Sequence, residues 1–156
     1  MFDTSRGGDD WLFTTVSVGE FTGGGGSGDA KSMEGRARGG DDRLLGGVWD
    51  DLLWGDADPT IGDLTDVTRG ADRFVFARGS NRDVIGDFEN GKDAIDLPGF
   101  AGIDGIDEVR AQARQVGADT VIDLGAAAGA AAGTDVLTLA GFDLTRLDVA
   151  DFLFAA

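Results

Sequence analysis

Gly40-Asp41-Asp42-Arg43-Leu44-Leu45-Gly46-Gly47, followed by Trp49-Asp50-Asp51-Leu52-Leu53-Trp54-Gly55, is the stretch that decides how this chain folds. Asp42 and Asp51 stand nine residues apart, as do Leu44 and Leu53, and Gly46 and Gly55. A fixed period of this kind marks a unit that cannot bury its apolar face alone and does so by stacking on its neighbours. Each position has its own chemistry. Glycine permits a tight turn whose carbonyls point inward. The aspartate closes the same shell with a carboxylate, and the aliphatic residue two positions later points to the core. Such a shell suits a hard cation, since calcium takes about six to eight oxygens at about 2.3–2.6 Å.

The pattern extends in both directions. An echo precedes it at Gly7-Gly8-Asp9-Asp10-Trp11-Leu12-Phe13, and another follows at Gly70-Ala71-Asp72-Arg73-Phe74-Val75-Phe76. Asp72 lies 21 residues from Asp51, which is two nonapeptides plus three inserted residues. Placing the insertion between Gly55 and Gly62 brings Asp63 into phase, 21 residues from Asp42.

Composition narrows the function. The 156 residues include 29 acidic and 13 basic side chains, a net charge of −16, with 27 glycines and no cysteine or histidine. Disulfides, ordinary zinc sites and thiol or imidazole catalysis are excluded. So strong a negative field also argues against nucleic-acid binding, which needs Lys and Arg on phosphates. Self-repulsion on this scale resists compaction, and bound divalent cations are the obvious counter-charge. No membrane span is visible: the run from Gly125 to Gly133 is Ala and Gly only and far short of the ~20 apolar residues required. The N-terminus, MFDTSRGGDDWLF, lacks the basic start and apolar stretch of a cleaved secretory signal.

Three zones follow. Residues 1–38 read as an irregular N-terminal segment with one degenerate repeat and a Gly-rich linker. Residues 39–76 read as degenerate calcium-binding repeats, and residues 77–156 as a closing region. In the last zone RFVFA, DVIGDF, DAIDL, DTVIDL, DVLTL and DFLF alternate as half-buried strands do. Ile106, Val109, Ala113 and Val116 fall on one face of a short helix, with Asp104 or Asp107 to cap it and Gly117 to stop it. The loop GAAAGAAAGT, Gly125 to Thr134, reads as a flexible insertion.

The nonapeptide resembles the hemolysin-type calcium-binding (RTX) repeat, GGxGxDxUx. The string GADRFVFARGSNRDVIGDFENGKDAIDLPGF resembles the segment that closes the β-roll of serralysin-like proteins, and TVIDLG…DVLTLAGFDLTRLDVADFLF resembles its terminal hairpin. The resemblance implies an all-β fold: a short parallel β-roll, the RTX solenoid, closed by C-terminal antiparallel strands with one short helix. Consecutive repeats would form alternate sides of the roll, so that Asp42 shares an ion row with Asp63, and Asp51 with Asp72. The implied calcium site draws on Asp42, Asp51, Asp63, Asp72, Asp83 and Asp87, with Gly40, Gly46, Gly55 and Gly70 at the turns.

The same resemblance implies a calcium-binding module that folds outside the cell. It would be secreted without a cleaved N-terminal signal, its terminus LDVADFLFAA serving the type I secretion machinery. The alternative is a calcium-dependent structural or adhesive module that self-associates through Leu52, Trp54 or a strand edge. Other motifs carry less. Gly23, Gly25 and Gly28 satisfy G-x-G-x-x-G, but serine, glycine and charged residues surround them, no helix of useful apolar period follows, and they read as linker. No segment fits an EF-hand: counted from Asp56, position six is Ile61 and position twelve is Val67. Every conspicuous aspartate is taken by the repeat, so none is left to pair for hydrolysis and the chain reads as no enzyme.

Overall fold

Short apolar runs separated by glycine and aspartate give short strands, and here they fall alternately into two sheets. The structure, a computed structural model, describes residues 11–13, 32–36, 41–47, 50–56 and 70–154. Among these, β1 (Trp11–Phe13), β3 (Arg43–Leu45), β5 (Arg73–Val75), β7 (Ala94–Leu97) and β11 (Phe152–Phe154) form one sheet in that order. The second sheet runs β2 (Ser32–Arg36), β4 (Asp50–Trp54), β6 (Arg82–Ile85), β10 (Val136–Leu139), β9 (Asp119–Asp123) and β8 (Ala113–Val116). From β1 to β7 the chain changes sheet at every strand, and each strand lies parallel to the one two before it. That winding is a β-roll, and the fold is all-β as the sequence implies.

Among the described residues antiparallel pairing enters only at the closing end. β9 pairs antiparallel with both β10 and β8, while β10 and β11 continue their sheets in parallel on β6 and β7. Among the described residues two short α-helices accompany these strands, α1 (Ile106–Ala111) and α2 (Leu124–Ala127).

The interior is a stack of in-register apolar side chains. Leu44, Phe74, Ile95 and Phe152 stand opposite one another across the first sheet. Leu53, Ile85 and Leu139 do the same across the second, and all seven are buried. Phe88 bridges the layers, its ring 6.3 Å from that of Phe74 and 5.5 Å, edge-on, from that of Phe142. Edge-on ring pairs of this kind add about 0.5–1.5 kcal/mol beyond their buried area.

Three local expectations need correction. The helix read across Ile106 to Val116 stops at Ala111, and Ala113–Val116 is instead the edge strand β8. Backbone pairing with β9 outweighs the helical spacing there, and Val116 ends up exposed. Neither Asp104 nor Asp107 caps that helix; Gly105 stands at its N-terminus with no side-chain bond. The Ala/Gly loop is tied down as well. Asp123 accepts from Ala126 N at 2.9 Å and from Gly133 N at 2.7 Å, and Arg78 donates to Ala128 O at 3.2 Å.

Candidate metal centre

The winding sets the acidic residues into two columns, one on each long edge of the roll. Asp42, Asp72 and Asp93 each stand immediately before a strand of the first sheet. Asp42 N donates to Asp72 Oδ1 at 2.9 Å, and Asp72 N donates to Asp93 Oδ1 at 3.0 Å. On the other edge Asp51 N donates to Asp83 Oδ1 at 3.0 Å. Every one of these five residues is buried. The device is the same each time: a backbone N–H on one coil grips the carboxylate of the next.

Glycines at the strand ends make room for these acids. An added Cβ on Gly55 would lie 2.0 Å from Asp72 Oδ2, and one on Gly46 would meet the Phe76 ring at 2.7 Å with Asp83 Oδ2 at 3.5 Å. Gly55 N and Asp56 N both donate to Asp87, at 2.8 Å each. Gly70 N donates to Asp56 Oδ1 at 3.0 Å. Asp87, Gly55 and Gly70 therefore gather on the edge of Asp72, whereas Gly46 lies on the edge of Asp83. Gly40 and Asp63 lie outside the described residues, as does Asp10.

The pairing by ion row is corrected. Asp42 stacks on Asp72 and Asp51 on Asp83, so Asp51 and Asp72 stand on opposite edges. Counting nonapeptides assumed one change of sheet per nine residues. Instead Asp72 stands 30 residues from Asp42 and precedes β5, the parallel neighbour of β3, which places it on the sheet of Asp42. Asp93 belongs to the same column. Its signal is Gly91-Lys92-Asp93-Ala94-Ile95, which repeats the Gly-x-Asp-x-apolar order of Gly40 to Leu44 and Gly70 to Phe74.

Electrostatically the columns are poor hosts for negative charge. Burial pushes the Asp72 carboxyl up to about 8 from 3.8, reinforced by Asp56, Asp93 and Asp42 around it. Burial likewise raises Asp83 to about 8 and Asp93 to about 6, and it raises Asp56. Asp72 Oδ2 is buried and accepts no hydrogen bond. Such an oxygen calls for a proton or a cation. Among the described residues no three acidic side chains converge as a ready ligand set. A cation held on these edges would thus take most of its shell from backbone carbonyls, which calcium accepts. An orphaned carboxylate oxygen against a glycine cradle, with oxygen donors only, fits calcium and fits no thiophilic or imidazole-seeking metal.

No helix among the described residues is long and apolar enough to cross a membrane. No protein-family model and no curated protein matches the chain. Solved structures do. One is the extracellular lipase LipA from Serratia marcescens, 22% identical over 95% of this chain and 20% of the lipase, with a TM-score of 0.50. Another is the AlgE6R3 subunit of the mannuronan C5-epimerase from Azotobacter vinelandii, 20% identical over 94% of this chain and 78% of that one, with a TM-score of 0.44. The chain spans about a fifth of the lipase's length, and what it shares with the lipase is the fold.

Proposed function

We propose that this chain is a calcium-binding β-roll module of the RTX type that folds when it meets calcium outside the cell. The observation that carries the reading is the Asp72 carboxylate: buried, stacked between Asp42 and Asp93, with one oxygen accepting no hydrogen bond. Asp72 and Asp83, with their column neighbours Asp42 and Asp51 and with Asp87 and Asp93, would hold the ions. The turn glycines let carbonyls complete the shell. The ion supplies the positive charge that the chain's own side chains do not. Each ion at tenfold its dissociation constant adds about 1.4 kcal/mol to stability, so a few ions suffice to tip a marginal fold. The module itself carries no catalysis in this reading.

The same reading orders export before folding. The proposed type I secretion signal includes Phe152–Phe154, which in the fold is strand β11, paired with β7. An exporter meets that segment freely only in the unfolded chain, and scarce cytosolic calcium keeps the chain in that state. A second reading, self-association, is favoured by Leu153, which is 39% exposed on the open edge of the first sheet.

Circular dichroism of the full chain in chelator and in millimolar calcium tests the proposal. The expected result is a large, chelator-reversible gain of β-sheet signal with calcium and none with equal magnesium. A chain equally folded in chelator at pH 8 would overturn it. Sedimentation in calcium decides the second reading, which requires growth beyond the monomer.

A further inference from the structure

The connection between β6 and β7 contains Asn90-Gly91, the one Asn–Gly step in the sequence. In such a step the glycine amide nitrogen can attack Asn Cγ and expel ammonia, because no side chain on the following residue hinders the approach. Water then opens the cyclic imide at either carbonyl and leaves aspartate or isoaspartate. The reaction needs a glycine N–H that is not engaged and an asparagine side chain that can turn toward it.

Here both reacting groups are held by one carboxylate. Gly91 N donates to Asp151 Oδ1 at 3.2 Å, and Asn90 Nδ2 donates to Asp151 Oδ1 and Oδ2 at 3.2 Å each. Asn90 Nδ2 also donates to Arg146 O at 2.8 Å. Asp151 is fully buried and takes a further bond from Asp148 N at 2.8 Å. It immediately precedes β11, so these bonds fix the C-terminal segment onto the β6–β7 connection. All its donors are neutral N–H groups. Gly91 has a φ of +73°, which fixes this turn in a conformation that only glycine adopts without strain.

We propose that Asn90 is a spontaneous deamidation site, shielded while the C-terminal segment is docked, and that its conversion to a carboxylate releases that segment. The imide consumes the Asn90 amide and the Gly91 N–H together, and both are donors to Asp151. Hydrolysis returns the N–H but puts an anion where the amide stood, facing the buried Asp151 carboxylate across hydrogen-bond distance. Two donated bonds become a like-charge contact. A chain kept unfolded thus accumulates a lesion that blocks its own closure, whereas a promptly folded chain is protected.

The full chain is incubated at pH 8 in calcium buffer and in urea. Isoaspartate is read by isoaspartyl methyltransferase labelling with peptide mapping. The folded chain is expected to convert residue 90 about tenfold or more slowly than the unfolded one, the ratio following the rarity of local opening. The Asp104–Gly105 step, whose aspartate is exposed and whose glycine is half-buried, should show a far smaller ratio. Asp151→Ala in calcium should move the residue-90 rate toward the urea value; if that variant does not fold, Asp151→Asn takes its place. Equal rates in both buffers, or a rate unmoved by the Asp151 variant, would overturn the shielding. Amide exchange at Phe152–Phe154 reads the release. Asn90→Asp should lose more protection there than the neutral Asn90→Ser, and equal losses would overturn it.

Discussion

Asp72 and Asp151 are both aspartates buried beneath the surface, at 2% and 0% exposure, and the molecule treats them in opposite ways. Asp151 closes the C-terminal end and collects N–H groups from Asn90, Gly91 and Asp148. Asp72 sits in the parallel coils, takes the Asp42 N–H on one oxygen and leaves the other bare. The same contrast runs along the second sheet. Residue 83 lies in register with Leu137, which lies in register with Ile122. The column that is acidic on β4 and β6 becomes hydrocarbon on β10 and β9. The closing half thus satisfies its interior from its own atoms, while the coiled half leaves negative charge for something else to neutralise. Stability of the two halves should therefore respond to different variables.

The largest difference is expected in pH. Because the folded Asp72 and Asp83 carboxyls lie near 8 against an ordinary 3.8, protonation favours the fold. Their contribution is fully present below about 4 and is lost as pH rises through about 8. Thermal melts of the chain in chelator should show greater stability at pH 5 than at pH 9, and calcium should restore the loss at high pH. A flat profile in chelator would remove the distinction between the halves. Asp72→Asn should raise the chelator melting temperature at pH 8 and shrink the gain from calcium, whereas a charge-neutral change in the closing half should do neither.

Next in size is Asp151→Ala. It removes the acceptor of the part-buried bonds from Asn90, Gly91 and Asp148, at about 0.5–1.5 kcal/mol for each hydrogen bond lost. Urea titrations in calcium and in chelator should show the same loss, because the interaction involves no ion. Gly55→Ala tests the opposite half: the added Cβ falls 2.0 Å from Asp72 Oδ2, and overpacking of this kind costs about 1–3 kcal/mol. The variant should also bind calcium more weakly by calorimetry, since the displaced group is the proposed ligand. Leu153→Ser, on an exposed edge position, should change stability by no more than about 0.5 kcal/mol. Any assembly seen in calcium should diminish with it.

The repeat was legible because glycine and aspartate act locally. Gly-x-Asp-x-apolar encodes a turn, an edge carboxylate and an inward side chain within five residues, and the three sheet-one strands that begin at Arg43, Arg73 and Ala94 all carry it. The inward row Leu44, Phe74 and Ile95 follows directly. Which carboxylates meet was not legible by counting, because a coil's length does not reveal how many strands it holds. Asp42 and Asp72 precede neighbouring strands of one sheet although 30 residues separate them, and nothing local announces that spacing. Strand β8 shows the other limit: Ala113 and Val116 keep helical spacing with Ile106, yet pairing with β9 supplies hydrogen bonds that spacing cannot weigh.

What the sequence by itself determined is the class of chemistry: no cysteine or histidine, a net charge of −16, and aspartates set beside glycines, which leave hard oxygen ligands and a need for counter-charge. What only the tertiary structure decided is which of those aspartates are buried together. Stacking is a property of register between coils, and the Asp51–Asp83 and Asp72–Asp93 contacts join residues 32 and 21 positions apart with no common period. Burial then makes an ordinary surface acid into one that cannot hold its charge alone, and no reading of neighbouring residues supplies that change of surroundings.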